Sequence, residues 1–376
     1  MGSASDLGRR PVTSLDAHPE ASRPELSVVI PSYNSAPWLP STLAALAEAL
    51  RRADVDAQVI VVDDGSSDDT QTVVDGLRHG FPGALQLVVQ QNRGRFLARW
   101  HGLELALAAD VLLLDSRVLL DPMSIGYVMS QVRETSSPRG WNAHVRTDER
   151  APLVGLFWDV PTYIFWGSYL RDPRPFDLTV ATFDRAPKGT GVFLAPASLM
   201  RDAFRQAWPE GDAHLVSDDT KVLRWIASTT SIRLDPGFSA VYRPRTTLRG
   251  FVRHTLDRGT LFVDSYAGTT PVRSAIILAG TIAPVAVLAG LVVLVTLGQG
   301  FAALIAGAVL VAAALLPVIP AAINRCPPRS IVAYVCLLPA FVVPFWLGLL
   351  RGVFIHRKVF RGRGQDKRPK PGEEIL

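Results

Sequence analysis

The sequence of 376 residues has only two cysteines and two long stretches without any charge. Cys326 and Cys336 lie close together near the C-terminal end, so the sequence offers neither a disulfide framework nor a cysteine zinc site. No Asp, Glu, Lys or Arg occurs in residues 274–324 or 331–350. Because about 20 apolar residues suffice to cross a bilayer as a helix, these stretches predict a membrane-embedded C-terminal region.

Several motifs that identify common enzyme classes are also absent. The sequence contains no GxxxxGK[ST], no GxGxxG after a strand, no GxSxG and no HxxxH, which argues against nucleoside triphosphatases, dinucleotide-dependent enzymes, serine hydrolases and histidine metal sites. The first 24 residues are polar and lack the apolar segment of a secretory signal. We therefore expect the part of the chain before residue 274 to lie in the cytosol.

The net charge of +5 comes from one end of the chain. Residues 351–376 contain eight Lys or Arg and three Asp or Glu, whereas residues 1–350 contain 31 of each sign. Residues 1–350, which we call the head where they precede the apolar stretches, are neutral overall. They lack the basic face that nucleic-acid binding requires, so no nucleic-acid partner is expected. The basic segment predicts a cytosolic anchor beside anionic membrane lipids.

Short apolar runs that end in polar loops alternate with helical patterns in the first 120 residues. The predicted strands are 26–31, 59–62, 85–89 and 111–114, and the predicted helices are 38–52 and 94–108. Continuous apolar strands between helices are typical of a parallel sheet covered on both faces. Ligands of such sheets bind at the carboxyl ends of the strands, so we expect Tyr33, Asp63, Asp64 and Asp115 to converge at one edge.

Four segments in this order and spacing resemble family 2 glycosyltransferases of the GT-A fold: VVIPSYNSAPWLPSTLAAL, VIVVDDGSSDDT, NRGRFLARWHG and LLLDSRVLLDP. The resemblance covers residues 26–258 and implies a Rossmann-like α/β domain with a mostly parallel sheet. The C-terminal region is similar to that of membrane-anchored bacterial members. The predicted organisation is a disordered leader (1–24), a GT-A domain (25–260), an interfacial connector (261–273), a helical transmembrane region (274–354) and a basic cytosolic tail (355–376).

The resemblance implies a donor site for a nucleotide-diphosphate sugar. Pro31 and Tyr33 resemble the wall on which the base stacks, and Asp64, beside Asp63, resembles the carboxylate that reads the base. Arg99, in the pattern NxGxxxAR, resembles the arginine that reaches the nucleotide. The alternative roles are helix capping for the two carboxylates and simple core packing for Tyr33.

The sequence departs from the family pattern at Asp115-Ser116-Arg117, where the family has Asp-x-Asp. In the family this motif holds Mg²⁺ or Mn²⁺ against the diphosphate, and a guanidinium cannot ligate a cation. Three interpretations follow: Arg117 takes the place of the metal and binds the phosphates, Asp115 keeps a metal with another ligand such as Asp121, or the site is inactive. The first is preferred, which makes metal independence plausible.

The acidic cluster at residues 217–219 resembles the family's general base. Asp219 matches the base that deprotonates the acceptor, and Asp218 is its neighbour; helix capping is the alternative. Attack by the acceptor in a single displacement would invert the anomeric configuration.

Two elements resemble the acceptor side of the family's site. One is the glycine-rich turn Lys188, Gly189, Thr190 and Gly191. The other contains Arg253, His254 and Arg258, where processive relatives carry QxxRW; here Thr255 replaces Gln and Gly259 replaces Trp. The broken motif favours addition of a single sugar, and a basic helix at the membrane interface is the alternative role.

The sequence therefore predicts an inverting glycosyltransferase in the plasma membrane whose catalytic domain faces the cytosol. Its acceptor would be a polyprenyl-linked or cell-envelope glycan. One alternative is direct transfer to polyprenyl phosphate, with Arg243, Arg245, Arg249 and Arg253 around the phosphate. Another is a non-catalytic scaffold of a polysaccharide assembly, which the replaced Asp-x-Asp motif keeps open.

The predicted topology is a hairpin of two spans, 274–297 and 301–323, with a third apolar segment at 331–350. A third span would move the basic tail away from the cytosol, against the positive-inside tendency. Because Pro339 and Pro344 lie within it, this segment is predicted to be re-entrant or interfacial.

Overall fold

The computed structural model describes residues 23–135, 137–209, 212–215 and 219–360. Most of the predicted leader and of the basic tail, and also Asp218, lie outside the described residues. In the part of the chain that is described, an α/β head precedes a series of long apolar helices. The predicted fold class is confirmed.

Nine strands of the described chain form one sheet. They are β1 (Leu26–Ser32), β2 (Ala57–Asp64), β3 (Ala84–Gln90), β4 (Asp110–Leu114), β5 (Val118–Leu120), β6 (Gly140–Thr147), β7 (Phe176–Leu178), β8 (Val192–Pro196) and β9 (Ile232–Tyr242). Their spatial order is β3-β2-β1-β4-β8-β6-β9-β5, and β7 pairs with β9. The strands β1 to β4 are parallel, as predicted.

The later strands make the sheet mixed rather than mostly parallel. β8 is antiparallel to both β4 and β6, and β5 and β7 are antiparallel to β9, while β6 and β9 are parallel. The apolar runs of β1 to β4 are long enough to be read from the sequence, whereas β5 and β7 have three residues each. Strands this short are defined by their pairing with a partner strand, and that pairing cannot be read from the local sequence.

The helices follow the strands in the order expected for an α/β domain. They are α1 (Leu39–Ala53), α2 (Thr70–Leu77), α3 (Arg95–Leu105), α4 (Ser124–Glu134), α5 (Leu153–Leu156), α6 (Asp159–Arg171), α7 (Ala197–Gln206), α8 (Thr220–Thr229), α9 (Leu248–Tyr266), α10 (Pro271–Thr296), α11 (Gly300–Leu315), α12 (Val318–Ile323), α13 (Pro328–Ile355) and α14 (Arg357–Phe360).

Side-chain alternation along the central strands divides the core into two layers. Val28 and Ile30 of β1 pack in one layer with Leu43 of α1, and Val29 packs in the other layer with Phe96 of α3. All of these side chains are buried. Burial on both faces leaves the strand ends and their loops as the accessible edge of the sheet, which is where the polar residues lie.

The helix α9 lies across α13 at very short distance because glycines meet at the crossing. A side-chain carbon on Gly259 of α9 would lie 2.5 Å from the carbonyl oxygen of Phe345, and one on Gly348 would collide with the carbonyl oxygen of Leu256. Gly352, one turn further along α13, would collide with α9 in the same way. The sequence analysis treated Gly259 only as the residue that replaces the tryptophan of QxxRW. In the structure, Gly259 permits close packing of the two helices.

Three helical segments of the described chain are long and apolar enough to cross a membrane: Pro271–Thr296, Gly300–Ile323 and Pro328–Ile355. The first two form the predicted hairpin, with a turn that contains Gly298 at φ +76°. The third is one continuous helix of 28 residues and has no re-entrant turn, unlike the prediction. Its two prolines are accommodated within the helix. The helix α9 also runs through the predicted boundary at residue 260.

The head and the apolar helices share a small aromatic core. Phe157 stacks on Tyr334 of α13 and packs edge-on against Phe251 of α9. Beside it, the buried carboxylate of Asp159 accepts hydrogen bonds from Ser330 (2.7 Å) on α13 and Thr147 (2.7 Å) on β6. Burial raises the pKa of Asp159, an effect that the two hydroxyl donors oppose. The start of α6, which contains Asp159, is therefore bonded directly to α13, the third apolar helix.

Candidate active site

The residues predicted to bind a donor lie at the carboxyl ends of β1, β2 and β4. Pro31 is within β1, and Tyr33 follows it with half of its surface exposed. The alternative of core packing for Tyr33 is therefore wrong. An exposed aromatic ring beside a strand end can offer a stacking face to a base.

The neighbouring carboxylates Asp63 and Asp64 are buried and bonded to the protein. Asp64 accepts hydrogen bonds from the side chain of Gln90 and from the backbone N–H groups of Arg93 and Gly94, each at 2.8 Å. Asp63 accepts hydrogen bonds from the Ser66 backbone and the Gln71 side chain. Both carboxylates thus order the loops around the predicted base site. Neither is the first capping residue of a helix, since α2 begins at Thr70 after Asp69.

Three predicted residues interact electrostatically near the end of β4. Arg99 of α3 is buried, and burial lowers its pKa to about 10, while the nearby carboxylates of Asp115 and Asp219 act in the opposite direction. Asp115 comes directly after β4 and Asp219 directly before α8. The fold therefore brings together residues that are more than 100 positions apart in the sequence. A buried arginine flanked by two carboxylates is typical of a functional centre.

Asp219 also caps its helix, as the structural alternative predicted. Its Oδ1 accepts hydrogen bonds from the backbone N–H (2.5 Å) and the hydroxyl (3.1 Å) of Thr220. These two capping bonds both reach the same carboxylate oxygen, Oδ1. The predicted neighbour Asp218 lies outside the described residues.

The glycine-rich turn at residues 188–191 lies against Asp115. The carbonyl oxygen of Gly191 accepts a hydrogen bond from the Asp115 backbone at 2.8 Å, and the backbone of Gly189 donates one to Asn142 at 3.0 Å. Thr190 is buried. The side chain of Lys188 is only 9% exposed and lies 3.9 Å from Asp184. Burial lowers the pKa of Lys188 to about 8.

Arg117 is held beside Trp38 at the start of α1. Its guanidinium lies 4.3 Å from the centre of the Trp38 ring, and Arg243 lies 5.3 Å from the centre of the same ring. Arg243 donates to the carbonyl oxygen of Trp38 (2.9 Å) and to the hydroxyl of Thr42 (2.5 Å). The buried Nη1 of Arg117 has no hydrogen-bond partner among the described residues.

The residues around Asp115 do not fit a divalent cation. The described chain contains no group of three His, Cys, Asp or Glu that could hold a metal. Asp121, the alternative second ligand, accepts hydrogen bonds from Ser239 and Arg146. Arg117 stands at the sequence position where the family motif has its second Asp, and a positive charge there repels a cation.

A cleft of about 260 Å³ lies between the sheet edge and α9. Its polar lining includes Lys188, Arg245, His254 and Arg258, and its apolar lining includes Trp158. Arg258 lies 4.5 Å from the centre of the Trp158 ring and donates to Nε2 of His254 at 3.0 Å. Arg253, also predicted on this side, is exposed on α9 and does not line the cleft.

His254 is surrounded by arginines. Burial, together with the charges of Arg258, Arg245, Arg95 and Arg117, holds the pKa of His254 well below its usual range. The neutral imidazole accepts the hydrogen bond from Arg258. The cleft thus combines several positive charges with an apolar wall, which suits an anionic group attached to an apolar or sugar-bearing molecule.

The sequence analysis missed three parts of this site. Trp38 and Trp158 stack on the arginines, and Tyr242 lines the cleft. Arg243 and Arg245 were predicted only as ligands of an alternative acceptor, whereas Arg243 contacts the start of α1. The signal that could have found them is the run of aromatic and basic residues that ends β9.

The fold and this site define a class of protein. A mannosyltransferase, PcManGT from Pyrobaculum calidifontis, solved in complex with GDP-Man and Mn²⁺, has a TM-score of 0.51 to this chain at 18% identity. The superposition covers 91% of this chain and 90% of that one, so it includes the apolar helices. The head has the Rossmann-like GT-A fold.

The sequence comparisons identify the family. Residues 27–137 match the family described as Glycosyl transferase family 2. The chain is 27% identical over 156 residues to the uncharacterized glycosyltransferase YaiP of Escherichia coli, which is 38% of each chain. It is 39% identical over 113 residues to validoxylamine A glucosyltransferase of Streptomyces hygroscopicus, which is 28% of this chain and 25% of that one. The chain carries a family 2 glycosyltransferase domain, and these matches span well under half of the curated relatives.

Proposed function

We propose that this protein transfers one sugar from a nucleotide-diphosphate sugar to an acceptor held at a membrane, with inversion of the anomeric configuration. The observation that carries the proposal is that Asp115, directly after β4, and Asp219, directly before α8, both act electrostatically on the buried Arg99. That cluster lies next to the predicted base site on one side and the cationic cleft on the other.

In this proposal the donor extends from the β1 edge towards Asp219. The base stacks on Tyr33 in the loop that Asp64 orders, and Arg99 binds the nucleotide. Arg117 balances the charge of the diphosphate, so that no step requires a metal. GDP-Man, with which PcManGT was solved, is a donor of this class.

Asp219 is the proposed general base for a hydroxyl acceptor. The hydroxyl oxygen attacks the anomeric carbon while its proton passes to the Asp219 carboxylate. The bond between the anomeric carbon and the phosphate oxygen breaks, and the nucleoside diphosphate leaves with the electron pair. Attack from the face opposite the leaving group inverts the configuration.

The acceptor is proposed to be a polyprenyl-linked or envelope glycan. Three helices suited to crossing a membrane follow the head, and Asp159 and the aromatic core connect that region to the cleft. An anchored enzyme and a lipid-linked acceptor share one surface, which raises the effective concentration of the acceptor. The plasma membrane, with the head in the cytosol, is the compartment consistent with nucleotide-sugar supply.

The cationic cleft favours one alternative, in which the acceptor is polyprenyl phosphate itself. Arg245, Arg258 and Lys188 line a cleft with apolar walls near α13. A phosphate oxygen is already anionic and needs no general base. A hydroxyl acceptor therefore needs Asp219 as a base and a phosphate acceptor does not, so replacing Asp219 distinguishes the two acceptors.

The test is transfer of radiolabelled sugar from a panel of nucleotide sugars by the full-length protein in nanodiscs with bacterial lipid extract. We expect Asp219→Asn to lower turnover about 100-fold or more with a hydroxyl acceptor, while donor binding is retained. Asparagine still caps α8, so folding is preserved. Asp202→Asn, an exposed carboxylate on α7, is the control. Turnover that is unchanged in Asp219→Asn excludes this base, and if lipid phosphate is then the acceptor, the alternative is correct.

A further inference from the structure

The proposed reaction needs positive charge near Asp115 to balance the leaving diphosphate. A leaving diphosphate carries several negative charges, which must be balanced as the bond to the sugar breaks. The residues present do not fit a divalent cation. The compensating charge therefore has to come from side chains near Asp115.

Strand pairing places two arginine-bearing segments side by side at this point. Val118 of β5 pairs with Tyr242 of β9, and the backbone N–H of Arg243 donates to the carbonyl oxygen of Arg117 at 2.9 Å. The chain then continues past Pro244 to Arg245, which lines the cleft together with Arg258 of α9. The sheet itself thus brings Arg117 and Arg245 to one place.

Stacking and hydrogen bonds orient these guanidiniums but leave donors unused. Arg117 lies over Trp38 and Arg258 over Trp158, which fixes the planes of both groups. The buried Nη1 of Arg117 lacks a hydrogen-bond partner among the described residues. A buried N–H donor without a partner is unfavourable, and an anionic ligand with several oxygens would remove that cost at Nη1 of the half-buried Arg117.

Among the described residues, arginines outnumber the carboxylates that act on them in this region. Burial and the charges of Arg245 and Arg243 lower the pKa of Arg117, with Tyr242 and Asp115 opposing them. Arg258 is exposed at the cleft; loss of surrounding water there lowers its pKa, Tyr242 and Asp219 oppose this, and Arg245 and Arg95 add to it. Within the described part of the chain, Asp115 acts on Arg117 and Asp219 on Arg258, and both act on Arg99, so each carboxylate faces more than one arginine.

We propose that Arg117, Arg245 and Arg258 form an arginine cradle that binds the diphosphate of the donor in place of a divalent cation. The inference rests on the proposed function, because it concerns the donor of that reaction. Trp38 and Trp158 are positioning residues that hold two of the guanidiniums. Arg243, bonded to the start of α1, is a structural member that keeps Arg117 in place.

The shared chemistry of this site is a phosphate group, which a nucleotide or a lipid could supply. We assign it to the nucleotide because Arg117 is two residues from Asp115, and Asp115 neighbours Arg99 on the side of the predicted base site. A lipid phosphate would have to reach past Arg258 from the α13 side to contact Arg117. The two sources are separated by competition below.

The experiment measures binding of inorganic pyrophosphate to the full-length protein in phosphatidylcholine nanodiscs, by calorimetry and by tryptophan fluorescence. With EDTA present, the wild type should bind pyrophosphate, and replacing EDTA with Mn²⁺ should change the affinity less than about twofold. Arg117→Met and Arg245→Met should each weaken binding about 10- to 100-fold, because each removes charge-assisted hydrogen bonds. Arg51→Met, which replaces an exposed arginine on α1 paired with Glu48, is the control and should bind normally.

A second variant restores the family motif. Arg117→Asp should lose binding in EDTA and regain it at least about 10-fold with Mn²⁺, because two carboxylates can then hold the cation. Thermal unfolding of each variant separates loss of binding from loss of folding, and Arg245→Met provides an independent test if Arg117 variants do not fold. Wild-type binding that requires Mn²⁺, or binding that Arg117→Met and Arg245→Met leave unchanged, would overturn the cradle.

Competition identifies the source of the phosphate. UDP or GDP should displace pyrophosphate in EDTA, whereas displacement by polyprenyl phosphate alone would overturn assignment to the donor. Failure of the cradle and failure of the proposed function also remain distinct. Transfer that occurs only with Mn²⁺ contradicts the cradle but supports the transferase, and metal-free pyrophosphate binding without transfer to any acceptor supports the cradle but contradicts the transferase.

Discussion

The site has two sides: the β2 side, which contains Tyr33, Asp63 and Asp64, and the α9 side, which contains Arg117, Arg245 and Arg258. The two sides differ in how completely their charged groups are bonded within the protein. On the β2 side, the carboxylate of Asp64 accepts three hydrogen bonds from its own chain, and that of Asp63 accepts two. On the α9 side, guanidiniums are stacked on tryptophans, and the buried Nη1 of Arg117 lacks a partner among the described residues. The first side is organised by its own hydrogen bonds, whereas in our proposal the second side is completed by a bound anion.

The two sides also depend on different parts of the molecule. The β2 side is built by adjacent parallel strands whose register is set by their buried faces. The α9 side depends on a helix that lies against α13 through glycines. A change in the apolar helices should therefore reach the cationic side first and leave the base site intact.

The largest effect should come from Arg99, which connects the two sides. Arg99→Met removes the buried positive charge between Asp115 and Asp219, and we expect turnover to fall about 100-fold or more. Donor titration and steady-state transfer measure this loss. Arg201→Met is the control, since Arg201 donates to the backbone carbonyls of Leu103 and Ala106 on the same side of the sheet. Equal losses in both variants would mean that Arg99 acts only in folding.

Gly259→Leu should break the α9 side selectively. A larger side chain cannot fit against Phe345 and Gly348, so we expect a loss of stability of about 1–3 kcal/mol and transfer reduced about 10-fold by displacement of Arg258. Gly290→Leu, on α10 with open space around its Cα, should do neither. Thermal unfolding and transfer assays check both. If the two glycine variants behave alike, the crossing does not position the cleft.

Tyr33→Ala should weaken the base site alone. The half-exposed ring is proposed to stack on the base, and stacking by one aromatic side chain is worth about 1–3 kcal/mol, so donor affinity should fall about 10-fold. Tyr33→Phe keeps the ring and should bind within about twofold of the wild type. Pyrophosphate binding should be unaffected in both variants. A loss of pyrophosphate binding in Tyr33→Ala would mean that the two sides are not independent.

The smallest expected effect concerns pH on the α9 side. Burial lowers the pKa of Lys188 to about 8, so its ammonium is charged below that pH and neutral above it. Binding of an anionic acceptor should therefore weaken a few-fold as the pH rises through about 8. Lys188→Arg should abolish that dependence, because arginine stays charged. A wild-type profile that is flat between pH 7 and 9 would exclude a role for this charge.

The strands β1 to β4 were predictable because each is a continuous apolar run that ends in polar residues. The observed strands extend the predicted ones by at most two residues at either end. Tyr33, Asp64 and Asp115 could be assigned to one edge from topology alone, since parallel strands end on the same side. Local sequence therefore gave most of the β2 side of the site.

The α9 side could not be predicted because it depends on long-range contacts. The pairing of β5 with β9, which brings Arg117 beside Arg243, links segments of little periodicity that lie over 100 residues apart. Gly259 replaces the tryptophan of the QxxRW motif, and its place at the crossing with α13 explains why a glycine is found there. The third apolar segment was predicted to be re-entrant or interfacial from its prolines, and its continuous helix excludes only the re-entrant turn. A long helix can accommodate proline when neighbouring helices pack around it.

The most direct test of the account is an experimental structure of the full-length protein with a non-transferable nucleotide-sugar analogue, determined with Mn²⁺ present. We predict that the diphosphate lies within hydrogen-bond distance of Arg117 and Arg245, that the base stacks on Tyr33 and that the anomeric carbon faces Asp219. A Mn²⁺ ion bridging Asp115 and the diphosphate, or a diphosphate bound away from Arg117, would contradict it.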